Sequence, residues 1–154
     1  MPSHDHLDDA PAEITLTPEQ SAVFERVVRS HAAAAPEGWV RIVSREECSV
    51  SAEADGTGTV QVVVVETPAG LEQQTFNPSR QLFFENDDLL RDLAAESPTQ
   101  TVVLYLVIDR DGTHRATFTV DVPRVLVGIR DETSSKPVHE YLERNRDELT
   151  ALLG

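Results

Sequence analysis

Paired carboxylates, scattered histidines and a single thiol are the residues of this chain whose chemistry could be put to work. Glu46-Glu47 and Asp87-Asp88 are adjacent acids, but a general acid/base pair needs two carboxyls held in different environments across a pocket. Neighbours in sequence do not supply that, so both pairs read as exposed charges. Asp109 and Asp111 precede Gly112 in a spacing that could open a calcium loop. An EF-hand goes on to further oxygen ligands and a Glu at its twelfth position. Here the chain passes into a strand pattern instead, and the residues read as a turn. His4 and His6 flank Asp5 in a polar terminus and make a poor metal site. His31 falls at the edge of an apolar stripe, His114 sits on a hairpin with no nucleophile beside it, and His139 lies near Glu140 and Glu143. Cys48 is the lone cysteine. It has no disulfide partner within the chain, reads as a half-buried strand thiol, and fits a reducing compartment. Gly-rich phosphate loops, Cys/His ligand spacings and a Gly-x-Ser-x-Gly elbow are all lacking from the sequence. The residue types therefore point to no active site, no metal and no cofactor.

Charge says more. The chain has 27 acidic against 13 basic residues, a net charge of −14. Such a surface repels phosphate backbones and anionic membranes, and it attracts and accelerates a basic protein partner. A surface kept charged for solubility alone would carry the same sign. Its 154 residues, 40% of them hydrophobic, suffice for one domain with a real core. No apolar run approaches the roughly 20 residues that cross a bilayer. The acidic first residues lack a secretory apolar segment, so the expected location is the cytoplasm.

Several elements must position these groups. Residues 1–14 read as a flexible acidic tail ahead of a single domain over 15–154. Thr17-Pro18-Glu19-Gln20 is a capping box opening a helix, with Phe24, Val27, Val28 and His31 along one face and Pro36 beyond its end. Trp39 opens a first strand, roughly Trp39–Ser44 with a continuation through Cys48 left open, and reads as a plug between that helix and the sheet. Strands are expected next at Glu47–Ala54, Thr59–Glu66 and Leu71–Phe76, joined by short turns. The unbroken Val62–Val65 suggests a strand covered on both faces. Leu82, Phe83 and Phe84 are expected to pack where the chain leaves the sheet. Asn86 reads as the cap of a second helix, with Asp87 and Asp88 in its first turn and Leu89, Leu90 and Leu93 inward. Thr101–Pro123 is two β-rich runs around Asp109-Arg110-Asp111-Gly112, a strong hairpin signal. Val125–Val127 is an apolar patch in the following connection. A last helix starts at Ser134 or Ser135, with Pro137 in its first turn and Val138, Tyr141, Leu142, Leu149, Leu152 and Leu153 in one stripe. The expected fold is α+β: an antiparallel sheet of about six strands, a meander plus a hairpin, with an N-terminal, a middle and a C-terminal helix packed on one face.

This layout resembles the YezG-like immunity (antitoxin) family of bacterial polymorphic toxin systems. The residues that carry the resemblance are Pro36-Glu37-Gly38-Trp39-Val40 after an amphipathic first helix and the strand meander that follows. Beyond these come Leu89-Leu90-Arg91-Asp92-Leu93, then Asp111-Gly112-Thr113-His114 leading into Phe118-Thr119-Val120-Asp121. The likeness spans roughly Leu16 to Gly154 in order of elements. It departs at Val120-Asp121-Val122-Pro123, where the family tends to carry an aromatic residue beside an acidic one.

The resemblance implies a small cytoplasmic inhibitor without catalysis of its own, which binds the catalytic domain of a secreted toxin. The acidic surface fits a basic toxin, nucleases being one class of these, and argues against nucleic acid and membrane as partners. The carboxylates expected to meet it are Asp87, Asp88, Asp92 and Glu96 on the middle helix, with Asp109 and Asp111 at the hairpin turn; Phe83 and Phe84 are the expected apolar anchor. Two other readings stay open. One is a non-catalytic, chaperone-like or dimeric adaptor that uses a sheet face or the Val125–Val127 patch. The other is a small-ligand binder or enzyme, with a cavity between sheet and helices containing His114 or Asp109.

Overall fold

A computed structural model describes residues 12–153. Antiparallel pairing joins six strands in the order β1-β6-β5-β2-β3-β4. They are β1 (Ala12–Glu13), β2 (Trp39–Val50), β3 (Asp55–Thr67), β4 (Gly70–Thr75), β5 (Thr101–Asp109) and β6 (His114–Val120). The helices are α1 (Pro18–Ala34), α2 (Arg80–Glu96), α3 (Lys136–His139) and α4 (Tyr141–Leu152). The α+β antiparallel class expected from the sequence is the one observed. Residues 1–11 of the expected tail, including the His4-Asp5-His6 cluster, lie outside the described residues. Ala12 and Glu13 pair with Val120 and Thr119, and the Ile14 amide donates to the Phe118 carbonyl.

Several strand boundaries differ from expectation, and β3 begins at Asp55 rather than Thr59, so the turn before it falls at 51–54. Trp39–Ser44 and Glu47–Ala54 are expected as strands, with a run of the first through Cys48 left open; the chain does run through Arg45-Glu46-Glu47, as one strand from Trp39 to Val50. Its polar middle is buried against specific partners rather than bent out to solvent, which the local pattern cannot show. The meander before α2 therefore has three strands, and the sixth strand of the sheet is β1.

The helices are expected on one face of the sheet, but they are split between the two. α1 and α2 cover a core of Phe24, Val28, Ile42, Val63, Leu82, Leu90, Leu104 and Phe118. The opposite face carries Val40, Val43, Val62, Val64 and Val107, packed against Val138, Tyr141, Leu142 and Leu149 of α3 and α4. Successive side chains of a strand point to opposite faces, so the Val62–Val65 run needs cover on both sides, and the C-terminal helices supply the second cover.

Local signals set the helix ends. The Thr17 box forms, with the Gln20 amide donating to Thr17 Oγ1 at 3.1 Å and the Thr17 amide to Gln20 Oε1 at 2.9 Å. α2 starts seven residues earlier than Asn86 suggests: Ser79 is its cap, accepting from the Leu82 amide at 3.1 Å. The α4 backbone kinks at Asn145 (φ −125°, ψ 21°). Gly38 takes φ +81°, and a Cβ there would lie 2.9 Å from the Glu66 carbonyl oxygen. This glycine lets the chain turn tightly from α1 into β2.

Candidate functional site

Because α2 begins at Arg80, the aromatic and acidic residues expected at its entry are distributed along its length. Leu82, Asn86, Leu89, Leu90, Leu93 and Ala94 face inward. Phe83 and Phe84, expected to pack where the chain leaves the sheet, are instead about half exposed, at 46% and 50%. Their rings meet edge to face at 5.6 Å, and the Arg80 guanidinium lies 5.7 Å over Phe84.

Positions four apart share a helix ridge. Phe84, Asp88, Asp92 and Glu96 form such a ridge, and all are exposed. Asp88 and Asp92 enter no ion pair among the described residues. Glu96 accepts from Gln20 Nε2 at 2.9 Å, which ties the end of α2 to the start of α1. α2 has no basic residue in its last turn, where the helix dipole favours cations. Like charges four residues apart also repel, so this order of charges works against the helix that displays it.

The other expected carboxylates are occupied or distant. Asp87 accepts from Thr57 Oγ1 at 3.1 Å and from Arg91 Nε at 2.9 Å. Asp109 is the counter-ion of the buried Arg41, with bonds of 2.5 and 3.0 Å. Asp111 accepts from the amide and hydroxyl of Thr113, which hold its carboxyl below the usual range. The hairpin turn and the α2 ridge do not come together. Asp87 sits over Thr57, which pairs with Cys48, whereas Asp109 pairs with Arg41. Seven residues along β2 span roughly 23 Å.

Glu46 and Glu47 are a clear correction, because neither is an exposed charge: they are 3% and 0% exposed, on opposite faces of the sheet. Glu47 pairs with Arg45 at 2.8 Å and accepts from the amides of Arg124 and Leu126 at 2.7 and 3.0 Å. Glu46 accepts from Ser44 Oγ at 2.9 Å and from Asn86 Nδ2. Burial pushes the Glu46 carboxyl up to about 7, against a smaller downward pull from these two bonds. Asn86 is thus no cap, because its side chain reaches the sheet.

A cavity of about 260 Å³ lies here, between α1, α2 and the sheet. Its floor includes His31, Glu46, Phe76, Leu82, Asn86 and Leu90, and its rim Thr59, Thr75 and Phe83. His31 Nδ1 donates to the Val27 carbonyl at 2.8 Å, and the ring stacks on Phe76. Burial lowers the His31 pKa despite that bond. The cavity lies between sheet and helices, but neither His114 nor Asp109 lines it; His114 packs against Phe24 instead. Cys48 is fully buried rather than half-buried, and burial raises its thiol to about 11. Of the Val125–Val127 patch, Val125 is buried and Val127 exposed.

Among the described residues no group of three or more His, Cys, Asp or Glu is placed to hold a metal ion. Nor is any helix among them long and apolar enough to cross a membrane. Glu46, Asn86 and His31 come from three separate elements, so no local motif announces them. No protein-family model matches the chain, and no curated protein matches it.

Proposed function

We propose that this chain is a non-catalytic binding protein of the immunity type, which occupies a basic toxin domain in the cytoplasm. The single observation that supports the reading is the Phe84-Asp88-Asp92-Glu96 ridge of α2, where three exposed carboxylates follow an exposed aromatic pair. Those charges stand four residues apart and repel, and Glu96 in the last turn also opposes the helix dipole. A cationic partner would turn both costs into attraction, while Phe83 and Phe84 give it an apolar anchor. The net charge of −14 adds long-range steering toward such a partner. A toxin that acts on nucleic acid fits best, since a surface built for phosphate is itself basic.

The test is capture of the toxin domain encoded beside this chain, at low and high salt. Capture should weaken as salt rises, and Asp88→Lys combined with Asp92→Lys should weaken it further. Unchanged affinity in that double variant would remove the ridge from the interface.

A second reading, a dimeric or chaperone-like adaptor, draws support from Val122, Val127 and Ile129, which are 58%, 52% and 42% exposed in one connection. A stable dimer in sedimentation without any partner would favour it.

A further inference from the structure

The cavity beneath α1 and α2 combines three features that the docking ridge does not explain. Glu46 is a buried carboxyl, and no Lys or Arg among the described residues pairs with it. Asn86 is 5% exposed and lines the same space. Its Nδ2 donates to Glu46, and its buried Oδ1 has no hydrogen-bond partner among the described residues. His31 spends its Nδ1 proton on the Val27 carbonyl, so Nε2 is left as an acceptor toward Gln61 Nε2 at 3.3 Å. The polar groups at the floor are thus mainly acceptors, and one of them is an acid without a counter-ion. Beside them, Phe76, Leu82 and Leu90 make an apolar wall.

We propose that this cavity binds a primary alkylammonium group, with Glu46 and Asn86 Oδ1 taking the –NH₃⁺ head and Phe76, Leu82 and Leu90 the alkyl chain. An ammonium offers three donors and no acceptor, which suits this set. It also supplies the positive charge that a buried carboxylate lacks. A guanidinium suits it less well. Its planar fork wants both oxygens of a carboxylate free, and each oxygen of Glu46 already accepts one bond. An anion would meet too few donors. The 260 Å³ volume lies just below the roughly 300 Å³ at which ligand pockets begin, so the chain has on the order of four to six carbons. The same chemistry belongs to a free small amine and to a lysine side chain presented by another protein.

Asp87 also lines the cavity, but Thr57 and Arg91 engage its carboxylate, so it is not assigned to the head group. The site is independent of the α2 ridge, since it is probed without any protein partner.

The experiment titrates n-butylammonium chloride into the full chain and follows the methyl resonances of Leu82 and Leu90. Saturable shifts of those methyls, accompanied by a rise in Tm, are expected; n-butanol and butyrate should produce neither. Glu46→Gln should weaken the amine by about tenfold or more, the loss of one charge-assisted contact. The wild-type methyl shifts decide between binding and no binding even if that variant fails to fold. A capped lysine, Nα-acetyl-lysine N-methylamide, is the second arm. Binding of both amines supports the site and admits a protein-borne lysine, whereas binding of butylammonium alone supports it and assigns a free amine. Absence of butylammonium binding, equal binding of butanol or butyrate, or full affinity in a folded Glu46→Gln would overturn it.

Discussion

Arg41 and Asp109 face each other across β2 and β5 in a two-pronged ion pair, Nε to Oδ1 at 2.5 Å and Nη2 to Oδ2 at 3.0 Å. The guanidinium is 3% exposed. Its remaining Nη1 donates to Tyr141 Oη at 2.9 Å and to Glu148 at 3.0 Å. One arginine thereby joins the end of the hairpin to the helix that covers the second face. Asp109, a residue expected to meet a partner, has its carboxylate committed inside the molecule.

Removing one member of a buried pair leaves the other charge uncompensated. Asp109→Ala should therefore destabilise the fold by about 2–3 kcal/mol, with Glu148 limiting the loss. Asp111→Ala removes only a turn contact to Thr113 and should change stability little. Urea unfolding of the two variants tests this contrast. Equal midpoints would show that the Arg41–Asp109 pair contributes nothing net.

On the α2 ridge the sign reverses. Asp92→Lys removes repulsion from Asp88 and Glu96 and restores attraction at the same spacing. A gain of about 0.5–1 kcal/mol is expected, alongside weaker capture of a basic partner. Thermal and urea unfolding at low salt measure the gain. A loss of stability would mean that Asp92 has a favourable role in the free protein, and the ridge would lose its physical rationale.

What the sequence revealed and what it hid divide by distance along the chain. The Thr17 box, the alternation in β6 and the Asp109–Gly112 turn each rest on contacts within a few residues, and all are present. The Val62–Val65 run shows its two-sided cover directly, although the helices expected over one face proved to be split between two. Besides Ser44 and Arg45 close by, Glu46 and Glu47 meet partners far along the chain that the local pattern does not show, Asn86 at 40 residues and the Arg124 amide at 77. Asn86 followed by two aspartates has the composition of a helix start, yet Ser79 after Pro78 provides the cap. A cavity between sheet and helices is only one of the open alternatives in the sequence, and the residues named for it, His114 and Asp109, do not line the one observed. That cavity is assembled from α1, β2, β3, the end of β4 with Phe76 beyond it, and α2, and no single segment carries its pattern.

Gly58 provides a packing test of the connection after β6. A Cβ at this position would lie 2.7 Å from the Leu126 nitrogen and 2.8 Å from its Cα. Both are backbone atoms, and Glu47 holds the same stretch through the amides of Arg124 and Leu126. The segment cannot yield without losing those bonds. Gly58→Ala should cost about 1–3 kcal/mol and speed hydrogen exchange at the Arg124 and Leu126 amides. Unchanged exchange there would mean that the strand, not the connection, gives way.

The final prediction concerns pH. Glu46 titrates near 4.5 in an unfolded chain and near 7 in the fold, because burial disfavours its ionised form. Between those values the folded state binds more protons than the unfolded one, so stability falls as pH rises from 4.5 through 7 and then levels off. The full effect of this group is about 3 kcal/mol. His31 works the other way: its pKa is lowered by burial from 6.5, so the unfolded chain takes up a proton first, and stability falls as pH drops below 6.5. The two trends oppose each other between 4.5 and 6.5, which flattens the wild-type curve there. Glu46→Gln removes one of them and keeps the shape of the side chain, and the Asn86 amide can turn to meet the new one. The stability advantage of Glu46→Gln over wild type should therefore grow by about 3 kcal/mol between pH 4.5 and about pH 8. The variant alone should still lose stability below 6.5 through His31. Urea unfolding across the range reads both slopes. A constant difference between the two proteins would show that Glu46 ionises in the fold as readily as in the unfolded chain.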